Sequence, residues 1–156
     1  MIRNATMADI KAIHTLLSHF AAQGKLLGRA LSSLYDQLRD FKVWVSDEDG
    51  GPEAGILAGS AALHVCWENL AEIRSLAVLE GFQGQDIGTG LVRACLAEAE
   101  ALGISQVFTL TYQPGFFKKM GFREIDKNEL PHKVWSDCIN CPKFPDCNEI
   151  ALIWEP

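Results

Sequence analysis

The 156-residue chain lacks any run of lysine and arginine, and its 14 basic side chains are outnumbered by 20 acidic ones, so its formal net charge is −6. Binding to a nucleic-acid backbone rewards clustered positive charge, so a general nucleic-acid surface is excluded. The chain also lacks an apolar run long enough to cross a membrane, and its first residues lack the apolar core of a secretion signal. We therefore expect a cytoplasmic protein with neither a nucleic-acid nor a membrane partner.

Internal repeats, low-complexity tracts and linker-like stretches are also missing. The length suits one domain whose core is large enough to be stable without disulfides or bound metal. A content of 48% hydrophobic and 22% charged residues is ordinary for a globular protein. We expect a single domain over residues 1–156, whose five cysteines stay mostly reduced in the cytoplasm. Assembly as a homodimer is compatible with this sequence.

Short apolar runs alternate with helical patterns along the chain. Strands are predicted at residues 2–5, 41–46, 54–66, 71–79, 107–110 and 149–154, and a further strand begins at 121. Helices are predicted between residues 9 and 24 and over 31–38, 91–102 and 116–120. Gly55 and Gly59 indicate a bulge or a close backbone contact in the third strand. This order favours an α/β (α+β) architecture around a mixed sheet.

A glycine-rich turn at residues 83–90 joins the strand at 71–79 to an amphipathic helix. Such a turn presents backbone N–H groups at a helix N-terminus and so predicts a site for phosphate. The turn has no lysine, which the P-loop pattern needs, and it lies too far along the chain for a Rossmann fingerprint. The alternative is a plain strand–turn–helix that binds no ligand.

The turn resembles the acyl-CoA signature of the GNAT acetyltransferase superfamily, in which Arg or Gln is followed by two residues, Gly, one residue, and Gly or Ala. Gln83 and Gly88 match the ends of that signature, and Asp86 stands where its middle glycine is expected. The resemblance implies that acetyl-CoA is the cosubstrate. The residues implied to bind it are Leu76, Ala77 and Val78 on the strand and Gln83, Gly84, Gln85, Asp86, Ile87, Gly88 and Thr89 in the turn. A carboxylate at position 86 would repel a diphosphate unless it turns outward or caps the helix.

The superfamily also implies a fold: a mixed, mostly antiparallel sheet of six to seven strands with flanking helices. Its strands at 71–79 and 107–110 should splay apart in a V, which would leave the amides of residues 76–78 able to stabilise an oxyanion. Residues 115–122 resemble the short superfamily helix that ends in Gly-Phe, but Phe117 stands where many members carry a tyrosine general acid.

A narrower resemblance links residues 24–29, 38–41, 71–78, 130–135 and 137–149 to the short, single-domain form of N-acetylglutamate synthase. It implies acetyl transfer to the α-amine of L-glutamate, the first step of arginine biosynthesis. Gly28 and Ala30 depart from the proline and serine of that pattern, which leaves another small amino acid such as glutamine open as acceptor. Asp86 and Phe117 favour a third interpretation, a non-catalytic CoA-binding or metal-binding regulatory module.

Acetylation of an amine requires a base, and Glu72 is the candidate, acting directly or through water. The alternative for Glu72 is an ion pair with Arg74. Tyr112 follows the strand at 107–110 and could protonate the departing thiolate; otherwise it is a packing aromatic and the thiolate leaves unaided.

An acceptor with carboxylates needs fixed cations, and Arg29, Arg74 and Lys133 are the candidates. Arg74 stands in an otherwise apolar strand, where an unpaired charge would be costly. An internal ion pair is the alternative for Arg74, and a solvated surface side chain is the alternative for Arg29.

Three cysteines near the C-terminus have a spacing that zinc sites use. Cys138, Cys141 and Cys147, with His132 nearby, could supply the four ligands of such a site. A domain of this length does not require metal, however, and the favoured interpretation is a reduced, metal-free tail that covers the acceptor pocket.

Overall fold

The centre of the protein, in a computed structural model that describes residues 1–47, 55–130 and 149–156, is one seven-stranded sheet. Its strands lie in the order β1-β2-β3-β4-β5-β7-β6, and every neighbouring pair is antiparallel except β4 with β5. The strands are β1 Ile2–Asn4, β2 Phe41–Val45, β3 Leu57–Trp67, β4 Leu70–Val78, β5 Gln106–Thr111, β6 Arg123–Ile125 and β7 Ile150–Trp154. The predicted mixed, mostly antiparallel sheet is confirmed.

Four α-helices cover the two faces of the sheet. They are α1 Ile10–Ala21, α2 Leu31–Asp36, α3 Ile87–Ala101 and α4 Pro114–Lys119. The apolar stripe of α1, with Leu34 of α2, packs on residues such as Phe41, Val43 and Ala77 of one face. The stripe of α3, with Phe117 of α4, packs on the other face. A third, smaller cluster includes Leu70, Phe108 and Ile153. Among the described residues no helix is long and apolar enough to span a membrane.

The parallel strands β4 and β5 pair only at their beginnings, where Leu70, Ala71 and Glu72 lie opposite residues 106–108. Beyond that point the strands diverge, as predicted. At the divergence the buried Thr109 hydroxyl donates a 2.8 Å hydrogen bond to the carbonyl oxygen of Ile73. The Thr109 hydroxyl thus replaces the hydrogen bond that a neighbouring strand would give to this β4 carbonyl. The carbonyl of Ile73 therefore has a partner although the strands separate.

A bulge interrupts β4 at the same level. Ser60 and Ala62 of β3 lie opposite Ala77 and Arg74, so Ser75 and Leu76 together face one β3 residue. Ser75 has a φ of 57°, an uncommon conformation for a residue other than glycine, and its carbonyl accepts a 2.9 Å hydrogen bond from Ser60. The bulge turns the backbone of β4 toward the gap between the diverging strands.

The element boundaries differ from the predicted ones by a few residues. The helical pattern over 31–38 divides into α2 and a 3₁₀ turn at Leu38–Asp40, and the strand expected to begin at 121 begins at Arg123. The irregularity expected in the third strand is confirmed, since the register between β2 and β3 shifts beside Gly59. A Cβ at Gly59 would lie 3.1 Å from side chains of Ile87 and Leu91, so its absence lets α3 approach the sheet closely.

Candidate active site

A cleft of about 550 Å³ opens where β4 and β5 diverge. One wall is formed by β4 and the turn that follows it, and the opposite wall by the end of β5 and the start of α4. The loop after α1 and the start of α3 also contribute lining residues. The described lining residues include most of the predicted site, namely Arg74, Leu76, Ala77, Val78, Gln83, Gly84, Asp86, Ile87, Gly88, Thr89 and Tyr112. Residues that were predicted for different roles from separate parts of the chain therefore line one cavity.

The turn before α3 presents a row of free backbone donors. Within the described residues, the N–H groups of residues 84–89 have no backbone or side-chain acceptor, and the first such bond is Gly90 N–H to the carbonyl of Asp86. Gly84 has a φ of 84° and Asp86 a φ of 61°, so the chain reverses here in left-handed conformations. The donors point from the N-terminus of a 15-residue helix, where the helix dipole favours an anion. A diphosphate fits this cradle.

Asp86 shows why the signature prefers glycine at this position, because its φ lies in the region that glycine adopts most easily. Aspartate tolerates that conformation better than most residues do. Its side chain is exposed and makes no capping hydrogen bond. The departure from the signature therefore leaves the backbone path intact and adds a negative charge at the mouth of the cradle.

Two side-chain contacts hold the turn in place. The Gln83 carboxamide donates a 2.9 Å hydrogen bond to the carbonyl of Val78, so this side chain ties the turn to the end of β4. On the other side, His19 Nε2 of α1 lies 2.9 Å from Glu80 Oε1. That hydrogen bond is the largest of the effects that lower the pKa of the exposed Glu80 carboxyl. The turn is therefore anchored to both β4 and α1.

Gly88 leaves room at the centre of the cradle. A Cβ there would lie 3.5 Å from Phe116 and 3.8 Å from Val78, so any larger side chain would enter the cleft. Beyond the cradle, a smaller cavity of about 370 Å³ is lined by Thr89, Arg93, Leu96, Phe116, Lys119 and Met120. Arg93 and Lys119 are exposed and place positive charge beside the phosphate turn.

Arg74 lies at the other end of the cleft, and its guanidinium already has internal contacts. Nη2 donates a 2.8 Å hydrogen bond to Oε1 of Gln37, and Nη1 lies 3.5 Å from Oε1 of Glu72. The ion-pair alternative for Arg74 and Glu72 is therefore present in the structure, while Arg74 also lines the cavity. Glu72 is not among the lining residues and adjoins the cleft through Arg74.

The sequence reasoning missed three polar residues around this pair. Gln37 follows α2, and Asp40 Oδ2 lies 2.7 Å from Nδ1 of His64 on β3. His64 is the cross-strand neighbour of Glu72, so both side chains project from the same face of the sheet. No local pattern marks these residues, because their contacts join positions 24 to 37 residues apart.

Tyr112 lines the cleft directly after β5, opposite the bulge of β4. Phe117, at the position of the missing superfamily tyrosine, is buried between Phe116 and Phe122 with ring centroids 5.1 and 5.2 Å apart. Its ring belongs to the core beneath α4 and also forms part of the cleft lining. Tyr112 is therefore the tyrosine that the described lining contains.

Two of the remaining predicted residues do not line the cleft. Arg29 is half-buried, and neither it nor the exposed Gln85 lines the cavity in the described structure. Lys133, His132, Cys138, Cys141 and Cys147 lie outside the described residues. The described part of the chain contains no cluster of histidine, cysteine and acidic residues able to hold a metal ion. Of the other cysteines, Cys95 is buried in the core, and burial raises the pKa of its thiol to about 12.

The cleft and the fold agree with what comparison with known proteins shows. A family model described as an acetyltransferase (GNAT) domain matches residues 39–124. The chain is 41% identical over 152 residues to an uncharacterized N-acetyltransferase of Chlorobaculum tepidum, covering 97% of this chain and 94% of that protein. It is 35% identical over 139 residues to an amino-acid acetyltransferase of Mycobacterium tuberculosis, covering 88% of this chain and 76% of that protein.

Solved structures give the same result. The M. tuberculosis protein Rv2747, in complex with CoA and NLQ, has a TM-score of 0.83 and 28% identity, and the match covers 100% of this chain and 99% of that one. N-acetylglutamate synthase from Neisseria gonorrhoeae, complexed with CoA and N-acetyl-glutamate, has a TM-score of 0.87 and 29% identity. That match covers 99% of this chain but 34% of the Neisseria chain. The chain belongs to the GNAT acetyltransferase family, and it is accordingly an N-acetyltransferase that takes its acetyl group from acetyl-CoA.

Proposed function

We propose that this enzyme transfers the acetyl group of acetyl-CoA to the α-amine of L-glutamate, the first step of arginine biosynthesis. The observation that carries the proposal is the charge distribution of one cleft, whose lining combines free backbone donors for a diphosphate with the cations Lys25 and Arg74. The relatives named amino-acid acetyltransferase, and the N-acetylglutamate synthase of similar fold, support an amino acid as acceptor. The single sheet that runs from β1 to β7 supports residues 1–156 as one acetyltransferase domain.

The cradle holds the cofactor by its phosphates and fixes where its thioester lies. Acetyl-CoA supplies an acetyl group already activated by a thiol leaving group. We assign the diphosphate to the N–H groups of residues 84–89 and the pantetheine arm to the β4 edge at residues 76–78, which β5 leaves unpaired. Binding the remote phosphates in this way fixes the position of the reacting carbon, so less entropy is lost when the transition state forms. The bulge at Ser75 lies where an amide of β4 can stabilise the negative charge that develops on the thioester oxygen.

Glu72 is the proposed base and acts through water, because Arg74 stands between its carboxylate and the cleft lining. An amino acid carries its α-amine protonated near neutral pH, and the amine must lose a proton before it attacks. Glu72 Oε1, 3.5 Å from Arg74 Nη1, is held on the face of the sheet that the acceptor reaches. The proton then passes from the amine by water to the Glu72 carboxylate.

Tyr112 is the proposed acid. Its side chain lines the cleft beyond β5, where the diverging strands leave space for the sulfur of the cofactor. Donation of the phenolic proton to that sulfur would prevent the thiolate from re-forming the thioester.

Thiol release measured with a chromogenic disulfide against a panel of amino acids tests the proposal. We expect turnover on glutamate above that on glutamine, aspartate and other α-amino acids. Preferred turnover of glutamine would instead support the second acceptor, which the departures at Gly28 and Ala30 leave open. Binding of CoA without turnover of any amine would support the non-catalytic regulatory module and refute the proposal.

Glu72→Gln and Tyr112→Phe extend the same assay to the two proposed catalytic groups. Loss of a general acid or base costs about 10²- to 10⁴-fold in rate, so each variant should lose kcat by at least the lower figure while its CoA affinity stays unchanged. If Tyr112→Phe retains the kcat of the parent enzyme, the thiolate leaves unaided and the acid role is wrong.

A further inference from the structure

Lys25 is placed in the cleft by the way α1 ends. Gly24 follows the helix with a φ of 72°, and its N–H donates to the carbonyl of Ala21 at 3.0 Å. The N–H of Lys25 then donates to the carbonyl of Phe20 at 3.1 Å, which completes a glycine-based helix terminus. The backbone of Lys25 is therefore fixed by the helix, although the residue is exposed and begins a loop.

The Lys25 ammonium group also has a preferred position. Nζ lies 5.8 Å from the centroid of the Phe20 ring, and both residues line the cleft. A contact of this kind holds a cation over an aromatic face without neutralising its charge. Among the described residues Lys25 forms no salt bridge. It therefore offers an intact positive charge to a ligand.

The other cations that line the cleft are placed differently. Arg74 points its guanidinium at Gln37 and Glu72, and Lys119 lies beside the phosphate turn at the opposite end. Phe20 and Leu26, on either side of Lys25, pack in the α1 core together with Ala77 of β4. Lys25 therefore lines the cleft from a loop that packs beside β4, close to the bulge.

The geometry of the reaction assigns a role to this position. The acceptor amine must reach the thioester beside the β4 bulge, and the α-carboxylate of an amino acid is one carbon away from its amine, so it stays near β4 as well. The side chain of the acceptor then extends from β4 into the cleft, which the loop after α1 also lines. We propose that the Lys25 ammonium group binds the side-chain carboxylate of the acceptor and so selects glutamate over glutamine, an inference that rests on the proposed function.

Steady-state kinetics of Lys25→Met test this assignment, because methionine keeps the apolar stem and removes the charge. We expect KM for glutamate to rise about tenfold or more, as loss of a charge-assisted hydrogen bond predicts. The values of kcat and of KM for acetyl-CoA should change less than twofold. With glutamine as acceptor, kcat/KM should be unchanged, since an amide has no charge for Lys25 to bind. Lys25→Arg should recover most of the affinity for glutamate.

Lys11→Met is the matched control, since Lys11 is an exposed lysine on α1 outside the cleft lining, and it should leave every constant unchanged. An unchanged glutamate KM in Lys25→Met would overturn the assignment, and so would equal losses with glutamate and glutamine, which would indicate an effect on the α-carboxylate or on the fold. In both outcomes the parent enzyme still acetylates glutamate, and the proposed function stands. If the parent enzyme does not turn over glutamate, the proposed function fails first and the assignment of Lys25 fails with it.

Discussion

We expect the negative charge of Asp86 to weaken binding of the cofactor, whose diphosphate we have assigned to the turn that contains this residue. Asp86 is the N-cap residue of α3, exposed, with a φ of 61° and no capping hydrogen bond. Removing the charge should therefore tighten CoA binding. Asp86→Asn makes that change with a side chain that still tolerates the left-handed conformation, and Asp86→Gly removes charge and conformational cost together.

The magnitude follows from Coulomb's law. Two unit charges roughly 6 Å apart in water repel by about 0.7 kcal/mol, and a diphosphate carries about two charges, so the repulsion is ~1.4 kcal/mol at low ionic strength. That energy corresponds to about tenfold in Kd, and screening at physiological salt reduces it to a few-fold. Loss of the carboxylate from the helix N-terminus should also lower the free energy of unfolding by ~0.3–1 kcal/mol.

Isothermal titration of CoA at low and at physiological salt measures the effect. Both variants should bind CoA more tightly than the parent enzyme, and the gain should shrink as salt is added. Asp36→Asn removes an equal charge from the exposed end of α2, outside the cleft lining, and should leave Kd unchanged. If Asp86→Asn binds CoA as the parent does, or more weakly, the diphosphate does not lie at this turn.

Three further predictions concern the scaffold of the cleft. Thr109→Val leaves a β4 carbonyl without its 2.8 Å hydrogen bond and should lower the free energy of unfolding in urea by about 1–3 kcal/mol. Gly59→Ala places a Cβ 3.1 Å from α3 side chains and should cost ~1–3 kcal/mol in the same assay, whereas Gly81→Ala, with open space around it, should cost little. The hydrogen bond from Arg3 lowers the pKa of the Asp9 carboxyl, and burial opposes this effect. The ionised Asp9 therefore stabilises the fold above its unfolded-state pKa, and this stabilisation is lost as pH falls through the folded-state pKa. Asp9→Asn should therefore lower Tm at pH 7, and the difference should begin to shrink near pH 4, about the unfolded-state pKa, and continue to shrink as pH falls through the lower folded-state pKa.

Features of the fold that depend on residues close together in the sequence could be predicted from it. The strand, turn and helix over residues 71–102 were predictable because period-two and helical patterns meet at a glycine-rich turn. The ends of α1 and α3 lie beside Gly24 and Gly103, both with positive φ. The divergence of β4 from β5 followed only from the family resemblance, since no local pattern marks a strand pair that separates halfway along its length.

Contacts between distant residues could not be predicted in this way. Ser75 carries no signal for a positive φ, because serine rarely adopts one and the bulge is set by the register with β3. Gln37 reaches Arg74 across 37 residues, and Lys25 enters the cleft because a helix cap directs it there. Arg29 was the cation predicted from this loop, yet it does not line the cleft in the described structure, and Lys25, which does, was not predicted.

In the proposed binding mode the cofactor and the acceptor are recognised by different groups, which explains why the cofactor was easier to predict than the acceptor. The proposed cofactor donors are main-chain amides, which every residue except proline provides, so a substitution such as Asp86 should change affinity without removing a donor. The proposed acceptor contacts are side chains such as Arg74 and Lys25, which depend on the residue type at each position. Relatives can therefore share acetyl-CoA and diverge in acceptor through a few residues of one loop, and variants of that loop should change glutamate kinetics while leaving CoA affinity constant. A Lys25 variant that weakened both ligands equally would contradict this separation.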